Sequence, residues 1–67
     1  MLYLLNPWGP AIVAYRHDKG LTQEAFAELL NVSVRTVLYW EHGRIPSLSS
    51  QQKLLKLEDI ESYLNQQ

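Results

Sequence analysis

Apolar residues recur along this chain with helical spacing, and the pattern is interrupted at glycine, proline and small polar residues. Asn6-Pro7-Trp8-Gly9-Pro10 reads as a turn, and Pro10 suits the first turn of a helix, where its missing N–H would have no partner. The spacing predicts a first helix from about Pro10 to Lys19. Gly20 would close it in the left-handed conformation, with Lys19 against the negative end of the helix dipole. Thr22 can cap a second helix, Gln23 to Leu30, by accepting a bond from a free backbone N–H. In that helix Phe26, Ala27, Leu29 and Leu30 fall at helical spacing, while Gln23, Glu24 and Glu28 form the wet side.

Asn31-Val32 is the connection to the next element, and Asn is the non-glycine residue most comfortable at positive φ. Ser33 then caps a third helix that runs to about Glu41 and ends at Gly43, with Val34, Val37, Leu38 and Trp40 including its buried stripe. Ile45-Pro46 closes a loop. Ser47 or Ser49 caps a fourth helix reaching about Leu57, with Leu54, Leu55 and Leu57 as its apolar residues. Asp59 is a candidate cap for a short last helix in which Ile60, Tyr63 and Leu64 share a face; the break before it is optional, so four or five helices are expected. The fold class is all-α and compact, a single domain over residues 1–67 with an apolar arm at 1–9 and an acidic segment at 58–67. A short link between two short helices is what holds them at a steep angle.

Composition narrows the function. At 67 residues a fold buries about 60% of the surface its unfolded chain exposes, so the margin of stability is thin and no catalytic domain fits beside the core. Cysteine is absent, which excludes a disulfide framework and a thiolate zinc site. His17 and His42 lack paired spacing for a metal, and the serines at 47, 49 and 50 read as caps, so neither a metal site, a cofactor, a small-molecule ligand nor an enzyme is expected. Apolar runs such as Ala11 to Ala14 and Val37 to Trp40 are far short of the roughly 20 residues that cross a bilayer. The N-terminus lacks the pattern of a signal peptide, and a cytoplasmic location is expected.

The net charge of −1 argues at first sight against a nucleic-acid partner. Its distribution softens the objection: Glu58, Asp59 and Glu61 crowd the end of the chain, leaving all six basic residues with four of the seven acids before them.

The stretch Gly20-Leu-Thr-Gln-Glu-Ala-Phe-Ala-Glu-Leu-Leu-Asn-Val-Ser-Val-Arg-Thr-Val-Leu-Tyr-Trp-Glu-His-Gly-Arg-Ile-Pro-Ser resembles the Cro and lambda-repressor-like, or Xre-type, helix-turn-helix family over about Ile12 to Leu57. The joint pattern of Leu-Thr-Gln, Ala-x-x-Leu-x-Val-Ser and Trp-Glu-x-Gly-x-x-Pro carries the likeness. The family most often has Gly where this chain has Asn31. The resemblance implies double-stranded DNA as partner, an ion pair between Arg16 and Glu41, and phosphate-binding positions at Gln23, Ser33, Thr36 and Arg44.

The residues add their own reasons. Ala27 must be small because it lies where the two helices approach, and Phe26, Leu30, Val37 and Trp40 form the core that fixes their angle. With Val37 and Trp40 inward, Val34, Arg35, Leu38 and Tyr39 are the candidates for base readout. Arg35 leads, because its planar fork can bond G O6 and N7 together. His42 suits a helix C-terminus or a site beside a phosphate.

Residues reading pseudo-symmetric DNA usually do so as a two-fold dimer. Candidate dimer surfaces are Leu2, Leu4 and Trp8 of the arm, which could equally cover the core, and the Ile60-Tyr63-Leu64 face. The expected function is a Cro-like repressor that binds a short operator as a homodimer. The rival is an antitoxin-type module that uses the helix-turn-helix as scaffold and autoregulator and captures a protein partner.

Overall fold

The computed structural model describes residues 6–66. Five helices follow one another: α1 (Trp8–Lys19), α2 (Gln23–Leu30), α3 (Val34–Glu41), α4 (Leu48–Leu55) and α5 (Ile60–Asn65). Among the described residues there is no strand, and no helix is long and apolar enough to cross a membrane. α3 packs on both α1 and α2, and α5 closes the far side of α1 while touching α4 more lightly.

The first three helices end by one device. After each, a residue with positive φ turns the chain, and two backbone N–H groups return to the last turn. At Gly20 (φ 69°) these are Gly20 to His17 and Leu21 to Arg16. At Asn31 (φ 59°) they are Asn31 to Glu28 and Val32 to Ala27. At Gly43 (φ 111°) they are Gly43 to Trp40 and Arg44 to Tyr39. Carbonyls that a helix end would leave without partners are thereby satisfied. The starts of α2, α3 and α4 are equally local: Thr22, Ser33 and Ser47 each accept a bond from the N–H three residues on.

Ile12, Phe26, Val37, Leu54 and Ile60 are fully buried, one or more from every helix. Each contributes about 1.5–3 kcal/mol by leaving water. Around them lie Trp8, Tyr15, Ala27, Leu30 and Trp40, with the Tyr15 ring set edge-on to Phe26 and Tyr63 at 6.0 and 5.5 Å. Tyr63 also donates its hydroxyl to Asp18 at 2.7 Å, latching α5 to α1.

Five expectations are corrected. The first helix begins at Trp8, not Pro10, because Asn6 Oδ1 accepts the Trp8 N–H and Pro10 still falls within the first turn. The arm therefore ends before Trp8, which is a core residue and cannot present a dimer surface; Leu2 and Leu4 lie outside the described residues. The fourth helix stops at Leu55, and Asp59 begins the fifth with φ 69° and no side-chain capping bond. Ile60 is 1% exposed, and Tyr63 and Leu64 pack partly against the core, so that face seals α5 to the domain instead of offering it to a partner.

Candidate nucleic-acid interface

The corner from Leu30 to Ser33 presents α3. Asn31 turns the chain at positive φ and Ser33 restarts the helix, its Oγ accepting the Thr36 N–H at 3.2 Å and lying 3.0 Å from the Thr36 hydroxyl. Ala27 is 3% exposed and Val37 wholly buried, and both belong to the core between packed α2 and α3. α3 is eight residues long, too short to persist unpacked, and its placement is therefore a property of the core.

A polar network fixes the other end of α3. Arg16 Nε donates to Glu41 Oε2 at 2.7 Å, and Arg16 NH1 donates to the Leu21 carbonyl at 3.0 Å. Gln23 Nε2 donates to Glu41 Oε1 at 2.9 Å. The side chains of Arg16 and Glu41 are 13% and 7% exposed, so the pair is largely removed from solvent, and its extra hydrogen bonds offset the cost of desolvating two charges. Three elements are joined at one carboxylate: α1, the start of α2 and the end of α3. Gln23, assigned to phosphate by resemblance, has its amide committed to this network.

Two further ties were not read from the sequence. Asn6 Nδ2 donates to the Gly43 carbonyl at 2.6 Å. A Cβ on Gly9 would stand 2.8 Å from the Trp40 carbonyl, so only glycine lets α1 approach α3 this closely. The signal was present in Trp8-Gly9-Pro10, but glycine beside proline reads as a turn, and its true reason is a contact some thirty residues away.

The outward face of α3 carries the remaining candidates. Arg35, in the first turn, is exposed and, among the described residues, has no hydrogen bond or ion pair that would hold its guanidinium to the protein. Tyr39, one helical turn on, is 45% exposed, and the Arg44 guanidinium sits over its ring at 4.9 Å. Leu38 is half-buried; Val34 is half-buried and packs against the core, which limits how far its methyl groups reach outward. His42 caps α3 at its C-terminus, and its Nδ1 donates to the Leu38 carbonyl at 2.7 Å, leaving Nε2 as the free ring nitrogen. Arg35, Tyr39, His42 and Arg44 thus lie along or just beyond one short helix, whereas Ser33 and Thr36 bond each other at its N-terminus.

Such an arrangement supplies a planar donor fork, a stacked arginine and a capped helix start, which are groups that bond base edges and phosphates. A profile described as helix-turn-helix matches residues 12–64, most of the chain. Comparison with curated proteins and with solved structures finds no match. The two helices, the turn between them and the matched span together make this chain a member of the helix-turn-helix DNA-binding family of the Cro and lambda-repressor-like, Xre type.

Proposed function

We propose that this protein is a sequence-specific transcriptional regulator that binds a short operator as a homodimer, places α3 in the major groove and represses by occupying DNA that polymerase needs. The observation that carries the reading is Arg35: a guanidinium in the first turn of α3, exposed and without a partner among the described residues, on a helix whose far end is fixed by a partly buried ion pair. A donor fork held on a rigid element loses little freedom on binding a guanine edge. Arg44, stacked on Tyr39, is restrained in the same way and suits a phosphate. Ser33 and Thr36 stand at the start of α3, where helix N–H groups favour an anion. The reading assigns no catalysis and no cofactor.

Selection of oligonucleotides by the purified protein tests it. A palindromic consensus is expected, and Arg35→Ala should weaken binding to that consensus by about 1–3 kcal/mol while relaxing preference at one base pair of each half-site. Affinity should fall as salt rises, because phosphate contacts release counterions. No enriched motif at low salt defeats the reading. The rival, protein capture by an apolar arm, loses one support because Trp8 is spent in the core.

A further inference from the structure

Two residues at the end of α3 are joined twice. The main chain turns at Gly43, where the Arg44 N–H donates to the Tyr39 carbonyl at 2.9 Å and the Gly43 N–H to the Trp40 carbonyl at 3.1 Å. The Arg44 guanidinium then returns over the Tyr39 ring, 4.9 Å from its centroid. A turn of this kind commonly sets an apolar side chain beyond the helix against one in its last turn. Here an arginine on an aromatic ring takes that place, and the attraction is between a charge and the π face.

Both side chains stand in solvent, where an arginine ordinarily samples many rotamers. The backbone bond fixes where this one starts, and the ring fixes where it ends. The ring takes the charge and leaves the donors: among the described residues the Arg44 guanidinium makes no hydrogen bond or ion pair. Tyr39 lies one helical turn from Arg35 on the outward side of α3, so the aromatic group placed to meet a base is the one that carries Arg44. Swinging it toward a base edge would dismantle the stack. Its hydroxyl, which forms no hydrogen bond among the described residues, is the atom through which Tyr39 could still read sequence.

We propose that Tyr39 is a positioning residue for DNA binding: its ring holds Arg44 in place for a backbone phosphate and reads no base itself. The inference rests on the DNA-binding reading and deepens it, dividing the work of α3 between base readout at Arg35 and phosphate anchoring at the Tyr39–Arg44 pair. Arg44 gains because its side-chain freedom is surrendered before DNA arrives and not upon contact. A phosphate contact sets register on the duplex without carrying sequence information, so the contribution of Tyr39 is the same on every operator.

DNA affinities of single and paired variants of the full chain test it, measured on the selected operator, on that operator with each base pair changed in turn, and across a range of salt. Arg44→Ala should weaken binding to all of these sequences by the same factor and lower the salt slope by about 1 for each copy bound. Tyr39→Leu should weaken it by about 2–5-fold per copy, the worth of an exposed cation–π contact, again with base preference unaltered. In an Arg44→Ala background the same change should have no effect, because nothing is left to hold; a ring that merely supported α3 would cost as much in either background. Tyr39→Phe, which keeps the ring and removes only the hydroxyl, should match the wild type. Both positions are exposed, so helical circular dichroism should stay at the wild-type level. Without DNA, proton NMR should show the Arg44 side chain shifted upfield by the ring in the wild type and in Tyr39→Phe, and not in Tyr39→Leu. Preference relaxed at one base pair in either Tyr39 variant, independent losses in the double variant, or Arg44 protons at their ordinary positions would each overturn the proposal and leave the DNA reading standing. A wild type that enriches no oligonucleotide at low salt sinks the DNA reading, and the proposal with it.

Discussion

Asn31 and Asp59 share a backbone conformation that L-residues rarely take, with φ of 59° and 69°, yet they sit in unlike surroundings. At Asn31 the chain is bracketed by two return bonds to α2 and by the Ser33 cap two residues later. At Asp59 the side chain caps nothing, and its ion pair with Lys19 is a long, solvent-exposed 3.9 Å. The first corner sets the angle of α3 and is held from several directions. The second leads into a six-residue helix beside charges that form no ion pair among the described residues. Rigidity is concentrated where the candidate reading head is aimed, and the corner before α5 is held more loosely.

The largest effect should follow from breaking the rigid side. Glu41→Ala leaves Arg16 without its counter-charge and Gln23 without its acceptor, and removal of one member of such a pair costs about 3–5 kcal/mol. A domain of this size has little more than that in total, so the urea midpoint should fall steeply and circular dichroism at 25 °C should show a measurable unfolded population. Replacing Arg16 and Glu41 together by apolar residues of similar volume should recover most of the loss.

Next in size is Gly9→Ala. A Cβ 2.8 Å from the Trp40 carbonyl must push α1 from α3, at a cost of about 1–3 kcal/mol that exceeds the gain in helix propensity, and the urea midpoint should drop accordingly. A rise in midpoint would show that the approach of the two helices is slack.

The loose side should respond in the opposite direction. Asp59→Gly relieves a left-handed residue that no cap compensates and should stabilise the fold by about 0.5–1 kcal/mol. Asn31→Gly, at the bracketed corner, should change stability by less than about 0.5 kcal/mol, since Asn already tolerates this conformation. Equal responses at the two sites in denaturant titrations would erase the contrast.

The smallest effect concerns Tyr63. Its hydrogen bond to Asp18, with burial and the nearby charges of Asp18 and Asp59, raises the phenol above its ordinary value of 10.0. Stability from this bond is present below about pH 10 and is lost as pH climbs through the raised value. Tyr63→Phe should therefore lower Tm modestly at neutral pH and flatten its decline in alkali.

The helices that the sequence announced most clearly are those with chemistry at both ends. Thr22 and Ser33 before the apolar runs, and Gly20, Asn31 and Gly43 after them, act within a few residues of themselves, so their roles can be read locally. The start of α1 was hidden because Trp8-Gly9-Pro10 has the composition of a turn and is helical for a reason that lies in α3. The end of α4 was overrun because Leu57 keeps the apolar spacing beyond the point where the helix stops. At the candidate site Arg35 was visible as an outward cation beside inward Val37, but the bond of Gln23 to Glu41 was not, because it spans eighteen residues and depends on how two helices cross.

The ties that Asn6, Gly9 and Arg16 make to residues 40–43 all grip α3 at one extremity, while Arg35 stands at the other. Such a helix behaves as a beam held at both ends, by these ties at its C-terminus and by the Asn31 corner and Ser33 cap at its N-terminus. Slackening one support by a fraction of an ångström tilts the beam about the other, so damage at Asn6, in a segment that need never touch a base pair, would blur the reading of sequence before it unfolds the protein.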